Sequence, residues 1–120
     1  WVPGGRLGLS EDLNSAAIRI VKEQAGIDVE LTGVLRVSYT PQNEFARLRV
    51  IFVARPTHEA EKMPLKTVPD YESVSAMWVS SDGLDGLKLY GNEAQEWFPY
   101  VARGGYVSPL EVLTPESASA

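Results

Sequence analysis

Cysteine is absent from the 120 residues, so the chain has neither a disulfide framework nor a thiolate metal centre. Long apolar runs are missing too. The longest, residues 50–54, is far too short to span a bilayer, and no charged-then-apolar signal segment opens the chain. An intracellular, cytoplasmic placement is therefore expected. Positive charge is scarce: 11 Lys and Arg stand against 16 Asp and Glu, for a net charge of -5 and a pI near 4.8. That balance argues against a surface that wraps a nucleic-acid duplex, which needs a clustered basic face. It leaves room for a small phosphorylated ligand, for which two or three local cations suffice. Histidine occurs once, as His58 between Thr57 and Glu59. It is either a general base or an exposed loop residue.

What is present is ordinary globular composition, 44% apolar and 22% charged, in a length that suits one domain. Residues 1–113 are expected to form that domain, with the Ser- and Ala-rich residues 114–120 as a frayed tail. Trp1 and Val2 read as the end of a strand, stopped by Pro3-Gly4-Gly5. The chain thus begins inside structured sequence, and an upstream segment or a neighbouring chain is expected to complete the sheet.

Leu13, Ala17, Val21 and Ala25 recur at helical spacing and predict a helix over residues 11–25, with those four as its apolar stripe on the side opposite residues 20, 23 and 24. Ser10 or Asp12 caps it and Gly26 stops it. Residues 29–39 and 45–55 read as strands, the first interrupted at Gly33, with Pro41-Gln42-Asn43 as the turn. Residues 56–70 carry three prolines and read as a loop. Further strands are expected over 73–80 and 106–113, with a helix over 92–103 that Pro99 must kink or confine to short turns. Arg47 and Arg49 alternate onto one strand face, with Arg36 on the neighbouring strand. They are either phosphate contacts or the solvated face of a sheet. Trp97, Phe98 and Tyr100 are either core or a shelf for a base.

The segment 1–27, WVPGGRLGLSEDLNSAAIRIVKEQAGI, carries the strongest signal. Gly5, Glu11, Arg19, Val21, Glu23, Gly26 and Ile27 fall in register with the loop-helix-loop G-x5-E-x7-R-E-U-x-E-E-x-G-U, U being a bulky apolar residue. The five fixed identities recur by chance on the order of once per million starting points. The chain therefore resembles the Nudix family, and residues 72–78, ESVSAMW, resemble the Glu-to-Trp strand of many Nudix domains. The resemblance implies an α/β/α sandwich with a mixed β-sheet between the helices. It also implies Mg²⁺- or Mn²⁺-dependent hydrolysis of nucleoside diphosphate-linked compounds.

In that reading Glu23 and Glu72 are catalytic, and Glu23, Gln24 and the Gly4 carbonyl hold the metal. Gly4, Gly5, Arg19, Arg47 and Arg49 contact the ligand. Glycines let backbone approach a ligand, and the loop runs towards a helix N-terminus that favours anions. Residues 20, 23 and 24 share one helix face, and Arg19 pairs with Glu23 at i, i+4. The sequence departs from the box at two points on that face. Ile20 and Gln24 stand where the pattern has glutamates, so at most one weak metal site is expected. Glu23 is then a ligand or merely Arg19's salt-bridge partner, and Glu11 a ligand or a cap. Ile20 is apolar packing. Two functions stay open: a hydrolase with weakened or altered activity, as in a GDP-mannose-hydrolysing branch that also lacks two box glutamates, and a non-catalytic module for nucleotide binding or protein assembly.

Overall fold

The computed structural model describes residues 1–62, 64–70, 73, 75–89 and 91–116. Glu72 lies outside the described residues, as do 117–120 of the expected tail. The first helix, α1, spans Leu13–Ala25. Its N-cap is Asp12, whose carboxylate accepts from the Ser15 amide at 2.7 Å. Glu11 therefore stands before the helix and not in its first turn. Gly26 ends it at φ 74°, a left-handed conformation that costs glycine little, and its N–H returns to the Lys22 carbonyl at 3.0 Å.

The buried stripe of α1 corrects the expected one. Ala16 and Ile20 are buried, whereas Leu13 is 37% exposed. The core-facing side thus runs through position 20, on the face that also bears Glu23 and Gln24. A branched apolar side chain at 20 gains more from leaving water than the small alanines on the expected stripe.

Two antiparallel strands, β1 (Val29–Pro41) and β2 (Ala46–Pro56), form a hairpin close to the expected bounds. Its register shifts between Leu31 and Gly33 and again between Val34 and Arg36. Gly33 is needed for close approach: a Cβ there would lie 2.5 Å from Val107 Cγ1 and 2.8 Å from the Ser108 carbonyl oxygen. Beyond the second shift Arg36 faces Ile51, Ser38 faces Arg49 and Thr40 faces Arg47, so the three arginines share one face. A second helix, α2 (Glu93–Ala102), lies against that face. Glu96 pairs with Arg36 at 2.8 Å and Glu93 with Arg49 at 2.6 Å, while the Arg49 guanidinium stands 6.0 Å from the Trp97 ring centre. Pro99 sits inside α2 without ending it.

Two expected strands are corrected. Among the described residues of 73–80 there is no ladder: the Ala76 amide donates to the Lys66 carbonyl, the Asp70 amide donates to the Ser73 carbonyl, and Ser73 is buried. Residues 106–113 pair with β1 through one bridge, Val34 to Ser108, and then turn into a short 3₁₀ segment, Leu110–Val112. Pro109 follows Ser108 directly and has no N–H with which to extend pairing. The described residues therefore form an α/β unit around a two-stranded antiparallel sheet rather than a mixed sheet.

Candidate functional site

The glycine loop and α1 are joined by one side chain. The Gln24 amide oxygen accepts from the Gly4 N–H at 3.1 Å and from the Trp1 indole N–H at 3.3 Å. Its nitrogen donates to the Gly4 carbonyl at 2.7 Å. Two donors meet the oxygen and one acceptor meets the nitrogen, so the amide orientation is determined by its partners. Next to this clamp Ile20 packs on Gly5: a Cβ on Gly5 would come within 3.1 Å of Ile20 Cδ1.

Arg19 organises the other side of the loop. Its Nε and Nη2 grip Glu11 at 2.8 and 3.0 Å in a two-point pair, its Nη1 reaches both oxygens of Glu23 at 3.2 and 3.3 Å, and Nη2 also donates to the Arg6 carbonyl at 2.9 Å. Glu11 in turn accepts from the Gly8 N–H at 2.9 Å. Hydrogen bonds from Arg19 first, and from Gly8 second, hold the Glu11 carboxyl below its ordinary value of 4.5. The guanidinium is correspondingly pushed above its ordinary range, by Glu11 first and Glu23 next. One cation thus spans two carboxylates and a loop carbonyl, where box spacing alone pairs it with Glu23.

The profile of the NUDIX domain family matches residues 2–101. The chain belongs to the Nudix family. No curated protein and no solved structure matches it.

In this Nudix domain the described residues do not fit a Mg²⁺ or Mn²⁺ on the box face. Such an ion takes about six oxygen ligands. Ile20 supplies none, both oxygens of Glu23 face Arg19, and the Gly4 carbonyl already faces an N–H donor. Among the described residues no group of three or more His, Asp or Glu could hold a metal ion. Glu72, assigned a catalytic role from the resemblance, lies outside the described residues. Of the expected site residues, Gly4 meets Gln24, Gly5 meets Ile20, and Arg19 meets Glu23. Arg49 is engaged by α2, and exposed Arg47 lies farther out on the same face of the hairpin. His58 is exposed.

Two residues that sequence reasoning passed over hold the C-terminal end of α1. The last four carbonyls of a helix lack partners within it. Here Gly26 N–H takes Lys22, Lys66 Nζ takes Glu23 at 3.0 Å, Ser73 Oγ takes Gln24 at 2.7 Å, and the Lys66 N–H takes Ala25 at 3.0 Å. Lys66 also pairs with Asp70 at 2.5 Å. Nothing in the polar, proline-bearing stretch 56–70 singles out Lys66. Its partners on α1 lie about 40 residues away in sequence.

On the far side of the loop, Val2 joins Phe52, Val53, Trp97, Phe98 and Val101 around an apolar cleft of about 340 Å³. Trp97 is buried, so it is core as well as wall. Tyr100 instead packs on Gly105 and donates to the Tyr106 carbonyl at 2.8 Å, tying down the C-terminal segment.

Proposed function

We propose that this Nudix domain binds nucleoside diphosphate-linked compounds and hydrolyses them weakly at best. The observation that carries the reading is the Gln24 amide seated on both polar groups of the Gly4 peptide, with buried Ile20 beside it. Those two side chains fill the positions from which the family's carboxylates would serve a metal. The cleft next to Val2 offers flat apolar walls, Phe52, Trp97 and Phe98, suited to a base or another planar group. The glycine loop two residues away would receive the charged part of the ligand. Arg19, held by two carboxylates, shapes that loop through the Arg6 carbonyl and is not itself a free phosphate contact.

A protein-assembly role has its own supporting observation. The hairpin face opposite the arginines carries Val37, Tyr39 and Leu48, the last two 76% and 66% exposed. Exposed apolar side chains gathered on one face, rather than scattered singly, mark contact surfaces.

The test is a panel of nucleoside diphosphate-linked compounds assayed both for binding by calorimetry and for hydrolysis with Mg²⁺ or Mn²⁺. Binding with slow or absent turnover is the expected result. Brisk turnover that disappears in Glu23→Gln would overturn the reading in favour of a working hydrolase.

A further inference from the structure

We infer that Gln24 does by itself what a carboxylate could do only with a cation, so that position 24 sets whether the glycine loop needs a metal to dock. The argument rests on donor and acceptor chemistry at one peptide. Gly4 turns both its N–H and its C=O towards the same side chain, at 3.1 and 2.7 Å. A primary amide matches that pair because it accepts at one atom and donates at the other. A carboxylate accepts at both. Its second oxygen would face the Gly4 carbonyl oxygen at hydrogen-bond distance with nothing between them, which is repulsive unless a proton or a cation is inserted. The Trp1 indole N–H on Gln24 Oε1 fixes which end donates, so rotating the amide gives no escape.

The consequence is a latent cation site in a Nudix domain that does not use one to hold this loop. The natural protein has a loop docked by hydrogen bonds, and its stability should ignore divalent ions. The single change Gln24→Glu leaves shape almost untouched, removes the one donor, and makes a site for a hard cation between the introduced carboxylate and the Gly4 carbonyl. This extends the proposed function, but it concerns how the loop is held and not whether ligand turns over. Its test reads folding stability, so a failure here leaves the hydrolysis assay to speak for itself.

Thermal unfolding of the full chain is followed for the natural protein, Gln24→Glu and Gln24→Ala, each in chelator and in millimolar MgCl₂. The natural protein is expected to melt at the same temperature in both. Gln24→Glu is expected to melt about 5 °C or more lower in chelator, and to recover most of that loss with Mg²⁺. Gln24→Ala, which loses the clamp without gaining repulsion, is expected to fall less and to show no response to Mg²⁺. In chelator Gln24→Glu should also regain stability relative to the natural protein as pH drops through the carboxyl range, because a protonated carboxyl can donate to Gly4. A Gln24→Glu protein as stable as the natural one in chelator at neutral pH would overturn the inference. So would a Mg²⁺ response shared equally by Gln24→Ala, since the ion would then be acting elsewhere.

Discussion

Arg19 shows how one side chain can hold a loop against a helix. Glu11 lies eight residues before it and Glu23 four after, and the guanidinium fork reaches both while also donating to the Arg6 carbonyl. A lysine could not reproduce this, since the two-point grip on Glu11 uses the fixed geometry of Nε and Nη2. Because the Glu11 carboxyl is held below 4.5, its charge stabilises the folded state at every pH above that value. The contribution is lost as pH falls through the lowered value. Glu11→Gln should therefore lower the melting temperature at neutral pH and flatten its decline below about pH 4.5. Parallel melting curves for the two proteins across that acid range would refute the role given to Glu11.

At the level of elements, α1 is held at its C-terminal end by partners remote in sequence. Its first turn is capped locally by Asp12, but its final carbonyls depend on Lys66 and Ser73. The Lys66 side chain is only 9% exposed, and its ammonium lies where the negative end of the helix dipole favours a cation. Lys66→Met keeps the aliphatic stem and removes the charge. It leaves the Glu23 carbonyl without a partner, which should cost about 1–3 kcal/mol. Denaturant titration should show a lower midpoint at unchanged slope. An unaltered midpoint would mean that water replaces the ammonium freely. The same reach across sequence decides the corrected strands. Whether residues 106–113 pair depends on Gly33 admitting Val107 and Ser108, and the pairing ends at Pro109.

For the whole molecule, one position of the box face, Ile20, belongs to the core. Ile20 is buried against Gly5, so restoring a carboxylate there places charge where apolar contact now exists. Ile20→Glu should destabilise the domain by roughly 2–4 kcal/mol. The double change Ile20→Glu with Gln24→Glu should be less stable than Gln24→Glu alone and gain no hydrolysis of diphosphate-linked compounds. A folded double variant with new Mg²⁺-dependent turnover would show instead that the metal scaffold survives intact. The natural protein should bind Mg²⁺ with no tight site in calorimetric titration, since Glu23 already has Arg19 as its counter-charge.

Local chemistry determined what could be read in advance. The helix α1 and its stop at Gly26, the β1–β2 hairpin, the shared face of the three arginines and the Nudix register of residues 5–27 all follow from short-range spacing. Family membership was legible for the same reason, as a set of residue types at set intervals. Tertiary structure decided the rest. The burial of Ile20 depends on where Gly5 folds back, the use of Gln24 on the direction of the Gly4 peptide, and the C-terminal anchoring of α1 on a lysine some 40 residues downstream. None of these is periodic. Each is a contact between segments whose approach is set by the packing of the whole chain, and a sequence read in windows carries no record of it.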